Sequence, residues 1–438
     1  MVLAGSVDSR PGIACSPRSC RARGKIRREL SPVSPQNMVL RWPHRLSQLI
    51  PWNARGKAHL FEPALRPPKI RIAPQAPVIC QFSGLPGINP MKRTLLYLAF
   101  LLPALPVPAA QPTLPPLPVP FSNNAVASLK VGKQFLLFSF MGIGPGKTWK
   151  DITNAAYQLE MGAAKWTEIR PVPGPAGRLA VSASAARQQV FLFGGYVVDG
   201  QGSEITVRDV NVYEPFDKRW YRGADIPVAV DDSVIGTYRD RFIYLVSGWS
   251  KTDAVQNVQV YDTEKNTWKQ ATPITGTPVF GHAGALLDDT IIYIDGAYKN
   301  PKGPTPPYLA SDECWMGKID HHDPTKIQWS KIAPHPGNAR YRIAPGASEK
   351  DKKIYFSGGT DNPYNYNGIG YDGRPAEPSP VTFAWDLRTS KWEVINENTP
   401  NPTMDHRGLI ATPAGLIIMG GMEKGQQVTS RVTLIPRK

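Results

Sequence analysis

The 438-residue chain has four cysteines, and three of them, Cys15, Cys20 and Cys80, precede residue 90. Cys314 stands alone in the remainder. That rules out an intrachain disulfide there, and no CxxC pair exists to hold zinc. Long apolar runs are equally scarce. The one stretch, 91–110 (MKRTLLYLAFLLPALPVPAA), is too short for a membrane span and is broken by Pro103, Pro106 and Pro108. Basic Lys92 and Arg93, apolar Leu95 to Leu105, and small Val107 and Ala109 form the layout of a cleavable secretory signal. This predicts a periplasmic or secreted protein with no stable membrane insertion after cleavage.

A strong charge of one sign is also missing from most of the chain. The formal net charge is +16, but residues 1–90 hold fourteen Lys/Arg against only Asp8, Glu29 and Glu62. Residues 111–438 carry just +3, which excludes a polyanion-binding surface and hence a nucleic-acid partner on electrostatic grounds. Residues 1–90 are Arg- and Pro-rich without a sustained apolar period. They read as a disordered basic segment or as sequence upstream of a true start at Met91.

What is present is glycine (38), proline (45), tryptophan (11) and tyrosine (16), a mixture suited to many short strands joined by turns. From about Ala125 a unit recurs. An apolar run ends in a small-residue pair, a variable loop follows, then a strand with Tyr or an equivalent, then Trp, then a Pro-rich link. The second copy has Val190 to Gly195, Asp209 to Tyr213, and Trp220 seven residues beyond Tyr213. The third has Phe242 to Gly248, then Tyr261 and Trp268 at the same spacing. The fifth has Ile354 to Gly359, then Trp385 and Trp392. The first (Phe135 to Gly142, Tyr157, Trp166) and fourth (Ile291 to Gly296, Trp315, Trp329) vary the spacing. The sixth, Leu416 to Gly421 and Arg431 to Ile435, ends without a Trp.

These residues resemble the Kelch repeat over essentially all of 111–438. The resemblance implies an all-β fold, a six-bladed Kelch β-propeller. Because Leu114 to Pro120 mirrors the link Trp166 to Pro173, the N-terminal segment is expected to close the last blade as its outermost strand.

Chemistry in such a fold belongs at one mouth of the channel, where loops converge. The segments opening the innermost strands offer Arg178, Asp231 or Asp232, His282, Arg340 or Arg342, and His406 or Arg407. Together these predict a polar, partly cationic cup for an anionic or polyhydroxylated ligand. His282, His406, Asp232, Arg178 and Arg342 are the catalytic candidates. Arg340, Arg407, Trp249, Tyr298, Tyr364 and Tyr366 are the candidates for binding substrate, the last two from the Asn-, Gly- and Tyr-rich loop Thr360 to Pro380. Each Arg or His equally suits bonding backbone carbonyls between blades. His321-His322-Asp323 reads as a turn, not a metal site.

Export, six blades and the opening LPPLPVPF segment also resemble the bacterial N-acetylneuraminate epimerases, Kelch mutarotases that need no cofactor. The resemblance implies a carbohydrate ligand, a sugar acid in that family, and anomer exchange by an acid and a base. Where that family carries its catalytic Glu and Arg, this chain has Ala297 and Gly303, so catalysis would fall to other residues such as His282 or His406. Galactose oxidase, another Kelch propeller, needs a Tyr–Cys crosslink, and Cys314 sits in an alternating strand beside Trp315 where burial is expected. The alternative role is a non-catalytic Kelch module presenting loops to a protein partner.

Overall fold

The computed structural model describes residues 114–437 apart from residue 175. The basic segment 1–90 and the stretch 91–110, expected to be a secretory signal, lie outside the described residues. Six sheets follow one another along the chain, and each begins with its innermost strand. Blade one comprises Ala125–Val131, Gln134–Ile143, Ile152–Glu160 and Thr167–Ile169. Blade two comprises Ser182–Ala186, Gln189–Phe193, Val210–Glu214 and Arg219–Arg222. Blade three comprises Val234–Tyr238, Phe242–Val246, Val258–Asp262 and Thr267–Ala271. Blade four comprises Ala283–Leu287, Thr290–Ile294, Cys314–Ile319 and Ile327–Ile332. Blade five comprises Ala344–Ser348, Lys353–Ser357, Thr382–Asp386 and Lys391–Asn396. Blade six has three strands, Ile410–Thr412, Gly415–Met419 and Val432–Ile435. The fold is the six-bladed Kelch propeller that the repeat predicts.

The second strand of each blade is apolar on consecutive residues because neighbouring blades bury both of its faces. Phe191, Leu192 and Phe193 are each about 1% exposed or less. The seven-residue Tyr–Trp spacing is a register effect. Tyr213 pairs directly with Trp220, Tyr261 with Trp268 and Trp385 with Trp392 across the outer hairpin. Their rings lie 4.8–5.0 Å apart.

Each of these indoles also donates to a carbonyl of the preceding blade's link. Trp220 bonds Arg170 O (2.9 Å), Trp268 bonds Ala224 O (2.8 Å), Trp329 bonds Thr272 O (3.2 Å) and Trp392 bonds Ala333 O (2.7 Å). One polar atom is thereby satisfied at each of these four blade interfaces, while the ring fills the apolar space between sheets.

Trp166 makes the same bond, and its acceptor is Pro115 O at 3.0 Å. The N-terminal segment therefore takes the place of the link that blade six lacks. It is not a fourth strand, which corrects the expected outermost strand. Leu117 N donates to Ser430 O (2.8 Å), Phe121 N to Thr429 O (3.2 Å), and Gly421 N to Phe121 O (2.8 Å). Pro115, Pro116, Pro118 and Pro120 have no N–H, so a continuous ladder cannot form. Closure comes instead from side chains. Leu117 and Phe121 are buried with Val126, Leu137, Trp166, Met419 and Val432, joining blades one and six.

The small-residue pair marks a crossing point of blades. At Gly194 (φ 57°) a Cβ would collide with Val230 O, and Gly195 N bonds that same carbonyl (3.2 Å). The next blade's entering chain passes directly over the pair, which leaves no room for a side chain.

Candidate functional site at the propeller axis

Just before each innermost strand, one residue per blade takes a left-handed backbone conformation. These are Asn123 (φ 58°), Ala180 (55°), Asp232 (52°), Gly281 (61°), Arg342 (51°) and Asp405 (68°). Only one is glycine, so the other five carry strain that surrounding contacts must hold. Those contacts form a ring around the axis. Asp232 N bonds Ala180 O (3.1 Å), Gly281 N bonds Asp232 O (3.2 Å), Arg342 N bonds Gly281 O (2.8 Å), and Asn123 N bonds Asp405 O (3.1 Å). His406 N to Arg342 O (3.2 Å) and Ala180 N to the Asn123 side-chain oxygen (2.5 Å) complete the circuit.

Four of the six ring residues carry polar side chains, and three of these are charged. Arg342 of blade five reaches Asp232 of blade three (Nη2–Oδ2, 2.9 Å) and Asp405 of blade six (Nη1–Oδ1, 2.9 Å). Arg407 of blade six bonds the other oxygen of Asp232. Asp405 also accepts from Asn123 Nδ2 (2.8 Å) and from the Ser122 hydroxyl. Tyr341 and Tyr364 lie against the Arg342 guanidinium at 4.9 and 5.3 Å. The network is at most 3% exposed apart from Arg407, whose side chain is 6% exposed. Burial opposes the charge of Arg342, but the paired carboxylate of Asp405 offsets it and the guanidinium stays protonated.

Above this network the loop Thr360 to Pro380 crosses the mouth. It starts at the Tyr341–Thr360 bridge of blade five. Tyr371 reaches the Tyr308 ring of blade four at 4.7 Å. Ala376 O accepts from Gln426 Nε2 of blade six at 2.7 Å. Tyr366 packs on Leu179, Ala180 and Tyr196 of blade two. Trp249, Phe280 and Tyr308 form an aromatic wall beside it, with ring separations of 5.1–5.6 Å. The Tyr-rich loop is thus a cover over the axis.

Five buried polar atoms here have no hydrogen-bond partner among the described residues. They are the hydroxyls of Tyr196, Tyr341 and Tyr364 and the Nε atoms of Arg342 and Arg407. Asp231, beside the ring, is 4% exposed and accepts from Thr206 Oγ1 at 2.7 Å. Burial pushes its carboxyl up to about 7, reinforced by nearby Glu204 and only partly countered by Thr206, Arg342 and Arg407. Glu204 lies at the solvent-accessible edge of the mouth, in the ribbon Tyr196–Val198/Glu204–Thr206.

The structure brings together Asp232, Arg342, Arg407 and Tyr364, with Trp249 in the adjoining wall and Tyr366 at the rim. It does not bring in the other candidates. Arg178 bonds Gly194 O (2.9 Å) and Asn211 Oδ1 (2.5 Å) within blade two. His282 Nε2 donates to Val246 O (3.0 Å), and His406 Nε2 meets Thr403 Oγ1 (2.8 Å). Burial depresses both imidazoles to about 4, so both are neutral near pH 7. Arg340 is used between blades four and five, where its backbone N–H bonds Asp295 Oδ2 (2.9 Å). Tyr298 packs on the core shared by blades three and four. Arg178 and His406 brace their own blades, and His282, Arg340 and Tyr298 join neighbouring ones.

The cationic cup is also corrected. Arg342 and Arg407 are matched by Asp232 and Asp405, while Asp231 and Glu204 have no ion-pair partner among the described residues. Asp231, Asp405, Tyr196 and Tyr341 were visible in the sequence, but the sequence alone could not show that they meet.

An open cavity of about 670 Å³ lies elsewhere, at the hairpin-turn ends of blades five, six and one. Two of its four cations are paired, Lys352 with Asp288 and Arg437 with Asp351, the other two, Lys130 and Lys350, are exposed to solvent, and the five buried polar atoms without partners named above lie at the axis instead. Cys314 is buried, and burial pushes its thiol up to about 12. His321 and His322 follow Asp320, whose carboxylate accepts from the His322 and Asp323 backbone N–H groups at a turn. Among the described residues no group of three or more His, Cys, Asp or Glu is placed to hold a metal ion.

Six radial sheets, the indole-to-link bonds and the axial ring define a Kelch β-propeller. The family described as the KLHDC2/KLHL20/DRC7 Kelch-repeats domain matches residues 125–359, more than half of the chain. The chain belongs to that family. It is 26% identical over 245 residues to Kelch domain-containing protein 3 of Bos taurus, covering 52% of this chain and 59% of that protein. It is 23% identical over 270 residues to an N-acetylneuraminate epimerase of Salmonella enteritidis, covering 54% and 66%. The matched region thus spans less than two thirds of either relative's length. The solved structure of YjhT superposes with a TM-score of 0.58 at 18% identity, covering 74% of this chain and 97% of that one, a likeness of fold.

Proposed function

We propose that this propeller is an exported protein that binds a small polyhydroxylated ligand, a carbohydrate, at its axial mouth beneath the loop Thr360 to Pro380. The observation that carries this reading is the group of five buried, unpartnered polar atoms around Arg342. Each such atom costs roughly 1–3 kcal/mol when left unmatched. Hydroxyl groups both donate and accept, so a sugar can satisfy phenols and arginine Nε atoms together. The Trp249, Phe280 and Tyr308 wall supplies apolar faces suited to pyranose C–H surfaces.

Binding is the primary role in this reading. Ala297 and Gly303 stand where the epimerases carry catalytic side chains, and His282 and His406 are committed to blade contacts. If anomers are exchanged at all, Asp231 is the group that moves the proton, because its carboxyl titrates near neutrality beside the unpartnered Tyr196 hydroxyl.

The test is NMR titration with a panel of mono- and disaccharides, with anomeric exchange read in the same spectra. Chemical-shift changes that are lost in Tyr196→Phe are expected. The second reading, a protein-interaction module, is favoured by the match to the KLHDC2/KLHL20/DRC7 Kelch-repeats domain. An absence of shifts across the panel, together with a captured protein partner, would establish it instead.

A further inference from the structure

We infer that the axial mouth selects an ammonium-bearing ligand, an amino sugar, over a sugar acid. The inference rests on the proposed carbohydrate reading and narrows it to a ligand class.

The argument is one of charge matching. Arg342 is held from both sides by Asp232 and Asp405 at 2.9 Å, and Arg407 is held by Asp232. The two guanidiniums are thus matched in charge by the two carboxylates Asp232 and Asp405, which leaves no surplus positive charge to attract a ligand carboxylate. Asp231 and Glu204, in contrast, have no ion-pair partner among the described residues. Thr206, which bonds Asp231 at 2.7 Å, stands two residues beyond Glu204 in the same ribbon strand, so the ribbon carries both carboxylates to one edge of the mouth. A second, independent feature points to a ligand at the same place. The Tyr196 hydroxyl is buried, the residue being 3% exposed, it is unpartnered, and Tyr196 pairs across the ribbon with Thr206, whose own hydroxyl bonds Asp231.

A ligand carboxylate at this position would be a third negative charge in a poorly solvated mouth. A ligand ammonium would neutralise Asp231 and Glu204 while its sugar hydroxyls meet Tyr196. The aromatic wall favours the same sign, since ring faces attract cations.

Four probes test this by calorimetry on the described propeller with its natural flanks: glucosamine, glucose, glucuronate and ethanolamine. A buried charge contact that is won or lost shifts affinity by about tenfold or more. Glucosamine is expected to bind at least about tenfold more tightly than glucose, with glucuronate weakest. Asp231→Asn keeps an acceptor for Thr206 and should erase the glucosamine preference while glucose binding persists. Glu204→Gln, at an exposed edge where folding is not at risk, should reduce it. Glucuronate binding equal to or tighter than glucosamine overturns the inference and leaves the carbohydrate reading standing. Ethanolamine binding that depends on Asp231, with no sugar bound, overturns the carbohydrate reading and keeps the cation site. Response to neither amine overturns the inference.

Discussion

Arg342 of blade five and Asp232 of blade three are joined at 2.9 Å across the propeller axis, both almost fully buried. The same guanidinium holds Asp405 of blade six at 2.9 Å, so one side chain ties three blades at the point where they crowd most closely. Removing it leaves two buried carboxylates, one of them wholly dependent on Asn123 and Ser122. Arg342→Met should therefore lower stability by about 3–5 kcal/mol. Arg342→Met combined with Asp405→Asn should recover much of that loss, since Asp232 keeps its bond to Arg407, and urea unfolding of the two variants measures the difference. Recovery would locate the loss in stranded charge and not in packing.

The sequence carried the blades but not the axis, and the reason is physical. Small-residue pairs and Trp residues recur because every blade interface has the same geometry, so repetition exposes them. The axial ring has no such signature. Asn123, Ala180, Asp232, Gly281, Arg342 and Asp405 share only a left-handed backbone, which Gly281 alone would announce. Arg178 and Arg342 look alike in the sequence, each three residues or fewer before an inner strand or its bridge. A displacement of two residues, from the left-handed position that Arg342 holds and Ala180 takes in blade two, separates a side chain that turns into blade two from one that turns to the axis. Net charge misled for a related reason: the arginines were legible, but their pairing with Asp232 and Asp405 depends on contacts 110 and 63 residues apart.

The N-terminal segment closes the ring through Leu117 and Phe121 more than through backbone bonds. Leu117→Ala should cost about 2–5 kcal/mol and Phe121→Ala about 3–5 kcal/mol. Deletion of residues 111–122 should lower the melting temperature at least as far as either. Differential scanning calorimetry of the three variants checks this, and an unchanged melting temperature in the truncation would refute closure by side-chain burial.

His335 and Asp295 predict a pH dependence of stability. His335 Nε2 lies 2.8 Å from Asp295 Oδ2 and its Nδ1 lies 2.9 Å from Pro336 O. A backbone carbonyl and a carboxylate only accept, so the ring is protonated at both nitrogens. Burial alone would depress the imidazole, but the hydrogen bond to Asp295 and its charge more than offset that and raise it above 6.5, against a smaller opposing effect of Arg340. Burial likewise raises the Asp295 carboxyl, with His335 and Arg340 offsetting only part. In both cases the folded protein holds a proton that the unfolded chain releases first. The His335 contribution is complete below about pH 6.5 and is lost as pH rises through its raised folded value. Urea midpoints should fall on going from pH 6 to pH 9, and His335→Gln should flatten that slope.

His406 and Asp231 separate blade-knitting from ligand contact. His406→Gln should destabilise the fold by about 1 kcal/mol through its lost bond to Thr403, while sugar affinity measured by calorimetry on the folded variant stays within about threefold. Asp231→Asn should do the reverse, with a small change in urea midpoint and a changed ligand preference. A large affinity loss in His406→Gln would return that imidazole to the site.

A crystal soaked with glucosamine tests the account most directly. The account predicts ligand density beneath Thr360 to Pro380, within hydrogen-bonding distance of Asp231 and the Tyr196 hydroxyl. Density confined to the hairpin-turn cavity beside Lys130 and Arg437, with the axial hydroxyls still unmatched, would contradict it.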